Sequence, residues 1–393
     1  MLRAALSLRG FVLRTHVGSA SHSEISMQLD QTEHLIGRLK ELHKGIRDSI
    51  MRRRREVPME QLVQVVQSTE SDVKFDIDAA AEEQVVDFCR TWAAESKICF
   101  VLVAEGVSRA PGEPERVIFP DGADERDARF ILIVDPCDGS RELMYDKRSA
   151  WVLSGIAPCK PEGCTLADIA VAVQTELPIT KQTLADTLHA ATGTRTSCQR
   201  HDLTSGKIVS RFCPVPSAAR TIEQGFATIS KFFPGGKELA ARIEESLAHR
   251  LMGPIRKGQA AIFDDQYIST GGQLYELMIG HDRFIADIRP LTAGWLARRG
   301  LGMLGLCAHP YDLCTELVAR QAGVHVCQPD GRPLAAQLNT TTEVAWVGYA
   351  NQSLRDQIEP HFQELLAHSL LHPGTPEEPT ERRPAMGLPE RND

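Results

Sequence analysis

The sequence predicts a layered α/β fold in which mixed sheets pack against helices, and three observations support that class. Short apolar runs such as CFVLVAEG (99–106) and RFILIVDP (129–136) are typical of buried strands. Longer segments between such runs repeat apolar residues at helical spacing. No repeat of fixed period is visible. Alternation of the two element types favours sheets covered by helices over a helix bundle or a barrel.

Composition sets the limits of that fold. The chain has 393 residues, of which 42% are hydrophobic and 24% charged, as expected for one large or two modest globular domains. A net charge of -8 argues against a general nucleic-acid-binding protein. The ten cysteines form no CxxC pair, which indicates reduced thiols rather than a disulfide framework or a zinc site. No uninterrupted apolar stretch of about 18 residues is present, so the sequence predicts no membrane span.

The first predicted element is a helix from Leu29 to Glu56, with apolar residues recurring on one face. It ends in the basic run RRRRE (52–56), which has two interpretations. The run either binds phosphate or an anionic surface, or it is a solvated helix end whose cations complement the helix dipole. The second interpretation is favoured. A second helix is predicted for residues 79–95.

The remaining elements follow the same logic. AWVLSGIAP (150–158) and DIAVAVQTEL (168–177) continue the apolar strand pattern, and the region 181–216 is expected to be polar and irregular with turn-rich hairpins. Beyond it the sequence predicts alternating helices and short strands. The helices are expected at 237–250, 271–280 and 312–322, and the strands at 283–289, 324–328 and 344–350.

Both ends differ from the middle of the chain. We expect residues 1–28 to be a disordered tail or targeting-like segment, then halves spanning 29–180 and 181–368, and a disordered tail at 369–393. Residues 1–23 are rich in Arg and Ser and contain no acid, as in a mitochondrial transit peptide. An unstructured tail explains the same composition and is favoured, so the expected location is the cytoplasm, with the mitochondrion as the alternative.

Four groups of carboxylates stand where apolar strands end or helices begin, which is where α/β folds collect site residues. Each acid alone has an ordinary explanation as a helix N-cap or turn residue. Together they suit Mg²⁺, which binds a few carboxylates, waters and substrate phosphate. The acids are Asp72, Asp76 and Asp78; Glu105; Asp135 and Asp138; and Asp312.

The segment DPCDGS (135–140) resembles the Asp-Pro-(Ile/Leu)-Asp-Gly-(Thr/Ser) signature of the inositol monophosphatase superfamily. DVKFDIDAAAE (72–82) is similar to an upstream family segment, AEG (104–106) stands where the family has Gly-Glu-Glu, and PYDLCTELVARQAG (310–323) resembles its Trp-Asp-x-Ala-Ala segment. The ordered resemblance covers about residues 30–365. It implies an αβαβα sandwich and a lithium-sensitive, magnesium-dependent phosphomonoesterase.

The resemblance also implies roles for particular residues. Asp78 and Ser140 would be catalytic, orienting and deprotonating the attacking water, while Gly139, Ser140 and Arg141 would bind substrate. Two or three Mg²⁺ ions would neutralise the phosphate and stabilise the leaving alkoxide. Their ligands would be Glu105, Asp135, Asp138 and Asp312, with the carbonyl of Cys137 as an added oxygen.

The chain departs from the family pattern at three positions. Gly106 replaces the second Glu of Gly-Glu-Glu, and Phe75 stands where Thr is usual. Gly305 stands where inositol phosphatases carry a Glu that contacts inositol hydroxyls. The metal ligands are therefore expected to be intact and the substrate side changed.

Three basic residues follow the signature, namely Arg141, Lys147 and Arg148. They are either surface cations paired with Glu142 and Asp146, or groups that hold a second phosphate. DGSREL (138–143) resembles the DGTKEF of bisphosphate nucleotidases more than the DGTTNF of inositol phosphatases.

Three functions therefore remain open. The leading one is a phosphomonoesterase acting on a small phosphorylated metabolite. The alternatives are a 3′(2′),5′-bisphosphate nucleotidase and a non-catalytic relative that binds a phosphorylated ligand. No nucleic-acid polymer or membrane partner is expected, and a homodimer is compatible with the resemblance.

Overall fold

The computed structural model describes residues 22–57, 65–68, 73–108, 113–254, 257–301 and 306–371, with side chains described at 31–57 and from Asp78 onward. The helices are α1 His22–Glu56, α2 Asp76–Ser96, α3 Ser140–Met144, α4 Lys237–Met252, α5 Thr270–Ile279, α6 Ala293–Arg298, α7 Glu316–Ala322 and α8 Gln352–Leu371. The first seven strands are β1 Val65–Ser68, β2 Val73–Phe75, β3 Phe100–Ala104, β4 Arg116–Phe119, β5 Phe130–Asp138, β6 Ala150–Pro158 and β7 Val171–Leu177. The others are β8 Leu184–Ala191, β9 Ser197–Asp202, β10 Ile208–Phe212, β11 Phe226–Ile229, β12 Asp282–Asp287, β13 His325–Cys327 and β14 Trp346–Tyr349.

An eight-stranded sheet in the order β10-β9-β8-β7-β6-β5-β3-β4 organises the molecule. β3 and β5 are parallel neighbours, and Ala104 pairs with Val134 at their carboxyl ends. The next residue in the chain is an acid in both cases: Glu105 follows Ala104, and Asp135 follows Val134. Parallel pairing therefore places these two carboxylates at the same edge of the sheet.

The two faces of this sheet carry separate apolar layers. Leu132 and Val134 pack with α1 and α2 on one face. Ile131 and Ile133 belong to a second core on the other face, which includes α5, α7 and the four-stranded sheet β11-β12-β14-β13. α4 and α8 pack together as the outer layer beyond the small sheet. This αβαβα order confirms the predicted fold class.

Buried hydrogen bonds fix α1 on the large sheet. The imidazole of His43 lies 2.9 Å from Thr175 Oγ1 and 2.7 Å from Ser154 Oγ. Complete burial lowers the pKa of His43 to about 3, so the ring is neutral and can act as donor and acceptor. The helix that carries the basic run therefore has a defined register against β6 and β7.

Most predicted elements are present, with some corrected bounds. α1 begins at His22, earlier than predicted, and α8 extends to Leu371, while residues 1–21 and 372–393 lie outside the described residues. The hairpins predicted in 181–216 are present, but the expected irregular region was wrong, because β8, β9 and β10 extend the sheet there. The division of the chain near residue 180 stays a prediction. Among the described residues, every helix is too short or too polar to span a bilayer.

Candidate active site

The site begins where β5 leaves the sheet. Between Asp135 and Asp138 the pairing with β6 shifts register, and the backbone N–H of Cys137 donates to Asp135 Oδ1 at 2.9 Å. Gly139 then takes a φ of +92°, a left-handed conformation that favours glycine. A Cβ on Gly139 would also lie only 2.9 Å from Cβ of Ser269. The glycine therefore permits the sharp turn from β5 into α3.

Three carboxylates converge at this turn. One oxygen from each of Asp135, Asp138 and Asp312 lies within 4.8 Å of the others. Asp135 and Asp138 are buried, and Asp312 is nearly so, with a side chain 15% exposed. At such distances ionised carboxylates repel strongly where water is excluded, so the arrangement favours a proton or a cation among them.

Burial raises the pKa of both aspartates of β5. Burial is the largest cause of the raised pKa of Asp138, which reaches about 8, and the charge of Asp312 adds to it. The pKa of Asp135 is raised well above its ordinary value by burial and then by Asp138 and Asp312. Without a bound cation, the cluster therefore retains protons near neutral pH.

Hydrogen bonds hold Asp138 in one orientation. Its Oδ2 accepts from Ser269 Oγ at 2.8 Å and from the backbone N–H of Gly271 at 2.6 Å, and its Oδ1 accepts from Thr270 N–H at 3.3 Å. Ser269 also caps α5, because its Oγ accepts from Gly272 N–H at 2.8 Å. The start of α5 and the end of β5 thus fix each other.

Asp312 reaches the cluster from a turn before α7. The sequence predicted that Asp312 opens the helix, but α7 begins at Glu316, and Asp312 Oδ2 instead accepts from the backbone N–H of His309 at 2.6 Å. The ring of His309 stacks on Tyr311, and the Tyr311 hydroxyl lies 3.3 Å from Glu105 Oε1. Tyr311 therefore connects Glu105 to the turn that carries Asp312.

The acid expected to be lost at Gly106 has a counterpart on another element. Gly106 has a φ of +74°, and a Cβ there would collide with the carboxylate of Glu82 from α2. Glu82 lies one helical turn after Asp78, and both line the same cleft as Glu105. An acidic group therefore occupies the space beside Gly106, although position 106 itself has none.

All predicted site residues line this one cleft, which we call the acidic cleft. Asp312 contributes to the three-carboxylate cluster, whereas Glu105 lines the cleft outside that cluster. The sequence-predicted members are Asp78, Glu105, Asp135, Cys137, Asp138, Gly139, Ser140, Arg141 and Asp312. Their proposed roles stay predictions.

The three basic residues after the signature separate in the structure. Arg141 lines the acidic cleft, with its guanidinium 5.8 Å from the ring centre of Phe233. Lys147 is exposed. The expected pairing of Arg148 with Glu142 or Asp146 was wrong, because Arg148 binds Asp265 at 2.7 Å and Glu276 at 3.2 Å.

Several cleft residues were missed from the sequence. Glu82 could have been found as the acid one turn after Asp78, and His309 and Tyr311 as polar neighbours of Asp312. Ser269 and Arg289 gave no signal, because only folding brings them to the cleft. Asp72 and Gly305 lie outside the described residues, as do the side chains of Phe75 and Asp76.

The donor set fits a hard divalent cation. Carboxylate oxygens predominate around the cluster, and Mg²⁺ binds through a small number of such ligands. Cys137 and Cys307 also line the cleft, but the described group of converging ligands consists of three aspartates, whose oxygens suit Mg²⁺ better than the nitrogen and sulfur ligands typical of zinc sites. The cleft chemistry therefore suits Mg²⁺.

Solved structures resemble this arrangement of layers across most of the chain. Fructose-1,6-bisphosphatase of Leishmania major superposes with a TM-score of 0.58 at 14% identity, covering 84% of this chain and 93% of its own. Extragenic suppressor protein SuhB of Bartonella henselae has a TM-score of 0.55 at 16% identity, covering 84% and 98%. The chain has the fold of the inositol monophosphatase superfamily.

A hypothetical protein of Pyrococcus horikoshii with similarities to inositol-1 monophosphatase shares this superfamily fold. Its TM-score is 0.54 at 14% identity, with 84% of this chain and 98% of that chain covered. No protein-family profile and no curated protein matches the sequence. At identities of 14 to 16%, these likenesses establish the fold alone, and the chemistry of the site depends on the residues of the cleft.

Proposed function

We propose that the protein is a Mg²⁺-dependent phosphomonoesterase that hydrolyses a small phosphorylated metabolite. The observation that carries the proposal is the convergence of Asp135, Asp138 and Asp312 in a cleft that also contains Asp78 and Ser140. A phosphate monoester repels anionic nucleophiles, so its hydrolysis needs positive charge and a positioned base in one place. The named fructose-1,6-bisphosphatase with the same fold supports the reaction class.

The carboxylate cluster would hold the metal. Asp135, Asp138 and Asp312 supply the central ligands, with Glu105 and the carbonyl of Cys137 at the margin. When bound, Mg²⁺ neutralises phosphate charge, acidifies a water molecule and stabilises the leaving alkoxide. Ser269 and the first amides of α5 orient Asp138, as outer-shell partners of metal ligands commonly do.

Proton removal from the attacking water is assigned to Asp78 with Ser140. Asp78 stands close enough to Asp135 to contribute to its raised pKa, although burial and the two nearer aspartates are the larger causes. Ser140 is the first residue of α3 and lines the same cleft. A carboxylate and a hydroxyl on opposite elements can hold one water between them and accept its proton.

Phosphate oxygens would bind the turn at Gly139 and Ser140. The first amides of a helix have no carbonyl partner within that helix, so they can donate to an anion. Arg141 follows directly in the chain, and its permanent positive charge would meet a further anionic group of the substrate rather than the reacting phosphate. The proposed substrate therefore presents its reacting phosphate to this turn.

A phosphate-release screen tests the proposal. It would compare sugar phosphates, inositol phosphates and nucleotide bisphosphates, each with Mg²⁺ and with EDTA. We expect release from at least one class with Mg²⁺ and none with EDTA. Tight binding of a phosphorylated ligand without any release would instead support the non-catalytic alternative.

One observation favours a bisphosphate nucleotidase as the second candidate. The guanidinium of Arg141 lies 5.8 Å from the ring centre of Phe233, and the guanidinium of Arg289 lies 5.6 Å from the same ring centre. Arg289 is paired with Asp287 at 2.9 Å, and Arg141 directly follows the turn that is proposed to bind phosphate, so Arg141 is the candidate for a second phosphate. Release of 5′-AMP from adenosine 3′,5′-bisphosphate would identify this activity. Cytoplasmic location, lithium sensitivity and a homodimer stay predictions.

A further inference from the structure

A second concave surface lies between the C-terminal half of α1 and the strands β7 to β10. It shares no lining residue with the acidic cleft, and we call it the basic groove. Its volume is about 960 Å³, within the range of small-molecule sites. Its charged lining residues are Lys40, Lys44, Arg47, Arg52, Arg54 and Arg55, with the acids Glu41, Asp48 and Asp202.

The three acids of the groove are already engaged. Glu41 accepts from Arg38 at 3.0 Å, outside the groove lining. Asp48 accepts from Lys44 at 2.6 Å. Asp202 accepts the backbone N–H groups of the turn that follows it, at 2.8 and 2.9 Å. Among the cations, Lys44 is used by Asp48 and Arg54 is paired with Asp146 at 2.6 Å, so the excess positive charge of the groove lies on Lys40, Arg47, Arg52 and Arg55.

Arg47 and Lys40 are the central cations of that excess. Nη1 of Arg47 is buried and has no hydrogen-bond partner among the described residues. Burial lowers the pKa of Arg47, although the charges of Asp48 and Glu176 partly offset it. Burial also lowers the pKa of Lys40 to about 8, and its Nζ lies 3.5 Å from the imidazole of His189. Both cations are partly desolvated and still charged at pH 7.

The helix dipole does not account for these two residues. Arg53, Arg54 and Arg55 lie in the last turn of α1, where cations stabilise the helix end. Arg47 stands nine residues before Glu56, a distance of about 13 Å along the helix. The dipole effect falls off within the last turn, so another reason is needed for cations at Arg47 and Lys40.

We propose that the basic groove binds a small organic polyanion that carries at least two phosphate-like groups. Arg47 and Lys40 would hold one anionic group, and Arg52 and Arg55 at the rim would hold another. Apolar and hydroxyl side chains complete the wall and suit the organic part, among them Met51, Ile179, Leu203, Thr175 and Thr187. Burial lowers the pKa of His201, the histidine in the lining, so the arginines and lysines set the charge.

This site is independent of the proposed phosphatase activity, so binding alone tests it. Isothermal titration with inorganic tripolyphosphate in EDTA measures affinity without metal. We expect saturable binding that weakens at least tenfold in the double variant Lys40→Gln/Arg47→Gln. The matched control Arg90→Gln/Arg126→Gln removes two exposed cations elsewhere and should bind within twofold of wild type. Arg141→Gln should also bind like wild type.

Three results would overturn the proposal. The first is that tripolyphosphate shows no saturable binding to the wild type. The second is that Lys40→Gln/Arg47→Gln binds tripolyphosphate as tightly as the wild type does. The third is that only Arg141→Gln loses binding, which would place the anion in the acidic cleft. A second variant, Arg52→Gln/Arg55→Gln, guards against misfolding because both side chains are exposed. It should retain the wild-type melting temperature and weaken binding about threefold.

Discussion

The acidic cleft and the basic groove concentrate opposite charges, but their groups respond differently to burial. The carboxylates of Asp135 and Asp138 can take up protons, and burial raises their pKa. The guanidinium of Arg47 keeps its proton at every physiological pH. Protonation can therefore lower the charge of the acidic cluster when no ligand is bound. Arg47 cannot lose its charge in this way, and the nearby charges of Asp48 and Glu176 offset its burial only in part. Under the two proposals, a metal would compete with protons in the acidic cleft, and an anion would neutralise the cations of the basic groove.

The largest expected effect comes from removing a ligand of the acidic cleft. Asp138→Asn should reduce phosphate release by more than about a hundredfold. Mutation of a residue that only hydrogen-bonds a metal ligand typically lowers metal affinity or activity by about 10–100-fold, and loss of the ligand itself should cost more. Its fold should persist, because the asparagine oxygen can still accept from Ser269 and Gly271. Steady-state assays with circular dichroism measure both. Asp87→Asn, an exposed acid of α2, is the matched control and should remain fully active. Near-normal turnover in Asp138→Asn would exclude the mechanism.

The second effect is the pH dependence of metal binding. The folded pKa of Asp138 is about 8, above its unfolded value near 3.9, so protons compete with Mg²⁺ below pH 8. Mg²⁺ affinity should rise by up to about tenfold per pH unit from pH 6 to 8 and then level off. Titration calorimetry in buffers of different protonation enthalpy counts the released protons.

The same shift has a consequence for stability. Because the folded pKa is raised, the metal-free protein loses stability as pH rises from about 4 through 8. Saturating Mg²⁺ should suppress that loss, since it replaces the protons. Chemical denaturation with EDTA and with Mg²⁺ across this range measures the difference. Metal affinity and stability that do not vary with pH would contradict the raised pKa.

The third effect concerns substrate charge at Arg141. A charge-assisted contact to a second anionic group contributes roughly 1.5–3 kcal/mol. Arg141→Ala should therefore raise KM roughly tenfold or more for a bis-anionic substrate and little for a mono-anionic ester. Lys147→Ala, an exposed neighbour, should change neither. Equal KM ratios for the two substrate classes would end the second-phosphate hypothesis.

The smallest expected effect concerns the contribution of the groove cations to the free energy of unfolding. Lys44 and Asp48 form a 2.6 Å pair whose side chains are 69% and 49% exposed. A double-mutant cycle with Lys44→Ala and Asp48→Ala should give a coupling below about 0.5 kcal/mol. Equilibrium denaturation measures it. A coupling of several kcal/mol would mean that these charges stabilise α1 and would weaken the case for a ligand.

Prediction from sequence succeeded where the signal is local. The strand of β5 and the turn at Gly139 follow from an apolar run and a glycine that must adopt a positive φ. It was less accurate where long-range pairing decides the structure. β9 and β10 are polar at exposed positions, so their sequence pattern looks irregular. Pairing of β9 with β8, and of β10 with β9, nevertheless makes both segments strands.

The sequence by itself determined the layered fold, the carboxylates at the ends of strands and the order of the motifs, because these depend on periodicity and residue type over short spans. Three contacts were decided only by the tertiary structure. Ser269 and the first amides of α5 orient Asp138, and Glu82 fills the space beside Gly106. Arg148 forms an ion pair with Asp265. Those contacts join residues far apart in the chain, and their free energy comes from burial and hydrogen bonding that exist only after the layers pack. The spacing of these residues in the sequence therefore does not predict the contacts.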